Sequence, residues 1–181
     1  TVHTIKVGDT STVYEYLNGA FTEMVHGTDL SVSATNSGET LVHGVDYTYS
    51  SATGILTVLT DKALTIANTN PSTSTTNRIE VAYDVSANIT LAGVNIDVSG
   101  TDDAAAFKIA DNSAGNVTIT LADGTTNTLK SGDNCAGLQK NGEYSETLGK
   151  LTITGTCSLT ATGGEDGAGI GGGNSGSNIT I

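Results

Sequence analysis

The chain has 181 residues, with 19 acidic against 7 basic side chains, a net charge of −12, 23 Gly, one Pro and no Trp. That balance argues against binding to phosphate backbones or anionic membranes, which recruit Lys and Arg. No apolar run approaches the roughly 20 residues of a membrane span, so no membrane insertion is expected.

Gly, Thr, Ser, Asn and Asp are abundant and helix formers sparse, which predicts an all-β protein. With no signal peptide ahead of Thr1 in this sequence, the chain is expected to be either cytosolic or already processed, and the composition favours a processed, secreted protein, extracellular or on a bacterial cell surface. Residues 1–60 carry short alternating strands bounded by turn residues. These are Val2–Val7, Val13–Met24 around Asn18-Gly19, Leu30–Ser33, Gly44–Tyr49 and Ile55–Thr60. They are expected to form an irregular N-terminal β cap. Ala63–Ile66 follows, then a surface loop from Asn68 to Asn77 holding the single Pro, then the strand Arg78–Val81.

Beyond residue 61 two templates recur. One reads polar, apolar, Thr, apolar: Asn88–Leu91, Asn116–Ile119, Lys150–Ile153 and Asn178–Ile181, at intervals of 28, 34 and 28 residues. The other is two small residues and an apolar one, ending at Phe107, Leu138 and Ile170, at intervals of 31 and 32 residues. Two templates alternating at about 30 residues predict stacked coils of a solenoid over 61–181. The last repeat stops mid-strand at Ile181, so further chain or a partner is expected to cover that end. The flanking apolar residues face inward and Thr outward, because side chains alternate along a strand. Thr90, Thr118, Thr152 and Thr180 are thereby predicted to form one outward ladder. The Gly163–Gly173 run lacks the Lys-Ser/Thr ending of a phosphate loop and reads as a tight corner.

Several constellations could carry chemistry. Asp103, Asp133 and Asp166 precede the small-small-apolar corners. Stacked coils would bring their carboxylates together, and a calcium ion would relieve the repulsion. Asp84, Asp97 and Asp123 are the next carboxylates to consider. Tyr83 and Tyr144 are the solenoid's aromatic candidates for stacking on sugar. Asn88, Asn116 and Asn178 begin glycosylation-type triplets, but their recurrence points to turn hydrogen bonding. Cys135 and Cys157 fall at different points of the cycle, so free thiols are expected. His3, His26 and His43 share no metal spacing, Arg78 is the sole Arg, and no catalytic set emerges.

The segments Gly44–Tyr49, Gly54–Val58, Ser86–Leu91, Cys135–Gly142 and Gly167–Gly173 resemble the clostridial carbohydrate-binding β-helix domain family of Gram-positive surface proteins. The resemblance spans roughly residues 40–181. It implies a right-handed parallel β-helix similar to pectate lyases, extracellular display, calcium sites and binding of acidic plant polysaccharide. The expectation is a non-catalytic carbohydrate-binding or adhesin module whose partner is a polysaccharide or other surface glycan, with calcium (Ca2+) as the candidate cofactor. The alternative is a structural stalk or filament subunit that self-associates by strand donation or end-to-end stacking.

Overall fold

The computed structural model describes residues 29–142 and 148–173, together with the strand backbones at 4–6, 13–17, 20–24 and 179–180. All regular elements among the described residues are strands. β1 (Thr4–Lys6), β2 (Val13–Leu17) and β3 (Ala20–Met24) form an antiparallel meander. β4 (Leu30–Ala34), β5 (Tyr47–Ser50), β6 (Ile55–Val58) and β7 (Ala63–Asn68) follow.

From there a unit of three strands, or circuit, repeats along the chain. The first is β8 (Arg78–Val81), β9 (Asn88–Leu91) and β10 (Asn95–Asp97). The second is β11 (Phe107–Ile109), β12 (Val117–Leu121) and β13 (Thr126–Lys130). The third is β14 (Leu138–Lys140), β15 (Leu151–Gly155) and β16 (Ser158–Thr162), and β17 (Ile170–Gly171) and β18 (Ile179–Thr180) begin another. Each strand pairs in parallel with its counterpart in the next circuit. Three sheets result, ordered β5-β6-β8-β11-β14-β17, β4-β7-β9-β12-β15-β18 and β10-β13-β16.

The first strands reverse the rule. β4 runs antiparallel to β7, and β5 antiparallel to β6. A hairpin can be closed by a short turn, whereas a parallel neighbour needs a full crossover. β4 and β5 stand at the ends of the two six-stranded sheets, beside β7 and β6.

The core consists of apolar ranks running across the circuits. Leu56, Ile79, Phe107 and Leu138 form one rank, all buried, and the half-buried Ile170 extends it. Leu64, Ile89, Ile119 and Ile153 form a second. Each fully buried Leu, Ile or Phe contributes about 1.5–3 kcal/mol over an exposed one. One residue breaks the pattern: Lys140 continues the rank of Val58, Val81 and Ile109 and is 1% exposed.

The pairing corrects the expected Thr ladder. Ile89 lies opposite Ile119, not Val117, so Thr90 joins Thr65, Thr120 and Thr154, while Thr118, Thr152 and Thr180 form a separate rank with Asn88. The two alignments differ by two residues. A shift of two leaves every side chain on its own face, so alternation alone does not distinguish them.

Buried polar groups pin the circuits to one another. Asn127 is fully buried, and its Oδ1 accepts the backbone N–H groups of Gly93 and Val94, one circuit earlier. Asn68 does the same for Asn95 N–H and returns Nδ2 bonds to the Thr73 and Asn95 carbonyls. Asn116 Oδ1 accepts Lys150 N–H, and Asn88 Nδ2 donates to the Asp61 carbonyl. Those two Asn side chains are exposed and bond to segments 34 and 27 residues away, not within the local turn that their recurrence pointed to; Asn178 lies outside the described residues. The Gly-rich corner follows from close stacking. A Cβ on Gly164 would fall 2.3 Å from Gly132 backbone atoms, and one on Gly167 would fall 2.0 Å from the Cys135 carbonyl oxygen.

Candidate functional site

One concavity sits where the β5–β6 hairpin meets the start of β8 and the corner after β10. The hairpin turn closes through Gly54 N–H to the Ser50 carbonyl, with Gly54 at φ +66°, a conformation that penalises a side chain. The Gly54 carbonyl in turn accepts Arg78 N–H at 2.8 Å, which fixes the turn against β8. On the other side, Asp97 Oδ1 accepts both N–H and Oγ–H of Ser99, and Thr101 N–H closes on the Val98 carbonyl. The Ser99 bonds, followed by Lys130, hold the Asp97 carboxyl below its ordinary range against the opposing effect of burial.

Between these walls lies a cavity of about 410 Å³. Its apolar floor is Val98 and Ala104, exposed by 4% and 1%. Tyr49 supplies an aromatic wall, and Ser51, Thr53, Thr76 and Thr101 bring four hydroxyls, all on exposed residues. None of those four hydroxyls is hydrogen-bonded to a described residue. Tyr49 is held from behind. Burial pushes its phenol above the ordinary range, a hydrogen bond from Asn77 opposes this, and the Asp29 carboxylate adds to it. Asn77 is itself fixed, because its Oδ1 accepts Asp29 N–H at 2.7 Å.

Arg78 is the one charged residue lining this cavity. Its guanidinium has no hydrogen bond or ion pair among the described residues. Arg78 also lines a second, smaller cavity of about 160 Å³ along β8 and β11, with Glu80, Asp103, Lys108, Cys135 and Gln139. There positive and negative charges mix, and Lys108 Nζ is committed to Asp111 at 3.0 Å. Burial, reinforced by the Asp103 carboxylate, pushes the Cys135 thiol up, despite Lys108 and Arg78. A thiol held protonated is a poor nucleophile. Gln139 Oε1 is spent on Ala136 N–H.

The residues singled out in the sequence lie elsewhere. Tyr83 is 63% exposed on the turn beyond β8, at the opposite end of that strand from the cavity. Tyr144 lies outside the described residues. In the aspartate column, Asp103 N–H bonds the Asp133 carbonyl and Asn134 N–H bonds the Glu165 carbonyl. That parallel pattern aligns Asp103 with Asn134 and Asp166, all three at φ near +60°. Asp133 stands one position earlier, where its Oδ1 accepts Glu165 N–H. Asn134 Nδ2 occupies Asp103 Oδ1 at 3.2 Å. Among the described residues no three His, Cys, Asp or Glu side chains gather closely enough to hold a metal ion. Of the three aspartates singled out by their spacing, Asp103 and Asp166 thus share one corner position, and Asn134 rather than Asp133 stands between them. Both cysteines are free, Cys135 buried and Cys157 half-buried, with Cys157 Sγ accepting Gly124 N–H. His43 packs edge-on against Tyr47, with ring centroids 5.5 Å apart; His3 and His26 lie outside the described residues.

No linear motif announces the cavity, because its walls come from segments 20–50 residues apart in sequence. The one signal was a single Arg at the head of a strand in a strongly acidic chain. No family model, curated protein or solved structure matches this chain. Among the described residues no helix is long and apolar enough to cross a membrane.

Proposed function

We propose that the circuits wind into a right-handed parallel β-helix and that the chain is a non-catalytic, extracellular carbohydrate-binding module. Parallel pairing between successive circuits and the close approach of corner glycines support the winding. The observation that carries the function is the larger cavity. An apolar floor and an aromatic wall suit the carbon face of a sugar ring, and uncommitted hydroxyls at the rim suit its hydroxyl groups. The fixed backbone around it, tied by Gly54 to Arg78, limits the ordering cost of binding.

A glycan array followed by calorimetry on the best ligands tests this reading. Binding of defined oligosaccharides is expected, weakened by Tyr49→Ala in proportion to the lost wall, about 1–2 kcal/mol. Failure to bind any glycan on the array would overturn it.

A further inference from the structure

Independently of the carbohydrate reading, we propose that the outer face of strands β7, β9, β12 and β15 adsorbs to ice. The pairing register makes this face a lattice. Thr65, Thr90, Thr120 and Thr154 lie side by side on four neighbouring strands. Asn88, Thr118 and Thr152 form a parallel rank two residues earlier. Ala92 N–H bonds the Ile66 carbonyl and Ala122 N–H the Leu91 carbonyl, so the same register continues and sets Ala67, Ala92 and Ala122 in a third rank. In the register that the repeat template suggests, Ala92 would instead stand opposite Thr120 and interrupt the array. Neighbours within a rank are about 4.8 Å apart, and successive ranks about 6.6 Å. These two repeats lie close to the spacings of water oxygens along the two axes of a prism face of ice. The chemistry of the face agrees with its spacing. In a chain of net charge −12, no residue of the three ranks is charged, and none is aromatic or longer than Asn. A charged group would hold a water shell of its own, and a long side chain would break the plane. The hydroxyls of Thr90, Thr118, Thr120, Thr152 and Thr154 have no hydrogen-bond partner among the described residues, whereas that of Thr65 is engaged with Thr35. All five of those residues are at least partly exposed. Each free hydroxyl therefore takes water as its partner, and each Thr or Ala methyl restricts the water beside it. Repeated at lattice spacing, such waters occupy positions that a growing ice surface fills. The paired strands are fixed from behind by the rank of Leu64, Ile89, Ile119 and Ile153, which keeps the ordering cost of adsorption small. A crystalline glycan shares the flatness and the repeat, but it favours an aromatic platform that this face lacks.

The test is nanolitre osmometry with imaging of crystal shape, together with partition of the same protein into slowly grown ice. The parent protein is expected to shape growing crystals, to open a gap between the melting and growth temperatures, and to concentrate in the ice. Thr120→Lys, in the middle of the array, should abolish all three effects. Should it fail to fold, Thr154→Lys at the exposed margin gives the same reading. Thr160→Lys, exposed on β16 in the three-stranded sheet, makes the same change of charge and should leave ice activity intact. Circular dichroism melts establish that each variant is folded. A parent protein that neither shapes ice nor enters it overturns the proposal. So does activity retained in both folded face variants, or activity lost in Thr160→Lys, since either places the effect elsewhere. Binding to crystalline cellulose or chitin that depends on Thr120, without ice activity, also overturns it and gives the face to a glycan. None of these outcomes bears on the cavity, whose reading stands or falls on soluble oligosaccharides.

Discussion

At the scale of single residues, two buried charges behave in opposite ways. Asp46 is 2% exposed and accepts Val42 N–H and the Lys62 ammonium, both within 3 Å. Burial raises its pKa, but the Lys62, Val42 and Thr60 interactions outweigh burial and leave the carboxyl below its ordinary value of 3.8. The sign follows from linkage. A depressed carboxyl pKa contributes stability that is present above the unfolded value and lost as pH falls through the folded one. Asp46→Asn is expected to lose about 1–3 kcal/mol near neutral pH, and the deficit should shrink as pH falls below 4. Thermal melts from pH 2.5 to 7 check this; a deficit constant across that range would contradict it. Lys140 is the reverse case. Its Nζ is buried in a Val and Ile rank with no partner among the described residues, and burial lowers its pKa from 10.5. A depressed lysine penalises folding fully below its folded pKa, and the penalty fades as pH rises through the unfolded value. Lys140→Met is expected to stabilise the fold by about 1–3 kcal/mol at pH 7, with a smaller gain at pH 10. Destabilisation of the variant at pH 7 would show that the amine is paired.

At the scale of elements, register decides which side chains become neighbours. The corner residues Asp103, Asn134 and Asp166 share one left-handed position in three successive circuits, and the middle one is an amide that neutralises the repulsion of its neighbours. Asn134→Asp would restore a continuous carboxylate column. It should melt lower than the parent in EDTA, by like-charge repulsion of about 1 kcal/mol, and recover on adding calcium but less on adding magnesium. Differential scanning calorimetry in the three conditions reads this. A variant that melts lower and ignores calcium would show that the corner cannot close around an ion even with three carboxylates. The Thr ranks illustrate the same dependence on register. The Thr90 hydroxyl belongs with Thr65 and Thr120, and a ligand reading the surface meets two ranks rather than one.

At the scale of the molecule, charge is the dominant imbalance. Nineteen acidic residues face 7 basic ones, and the ion pairs among the described residues are Lys62–Asp46, Lys108–Asp111 and Lys130–Asp97. Net charge far from zero strains a compact chain by self-repulsion, which salt screens. The melting temperature is therefore expected to rise by several degrees between 20 mM and 500 mM NaCl at pH 7. A fall over that range would mean that the three ion pairs outweigh the repulsion.

The sequence by itself determined the all-β character, the inward placement of Ile89, Val117, Ile119 and Leu151, the rank of Phe107 and Leu138, and the Gly-rich corner. Each of these follows from local chemistry: alternation with period two, β-branched residues, and turns that tolerate no Cβ. The tertiary structure decided what lies one full circuit away. The two-residue register between β9 and β12, the replacement of Asp133 by Asn134 in the carboxylate column, and the burial of Lys140 are all invisible to periodicity, because each keeps the alternation intact. The cavity belongs to the same class. Tyr49, Arg78 and Thr101 share no motif, and they meet because a hairpin, a strand start and a corner converge where the antiparallel opening strands give way to parallel circuits.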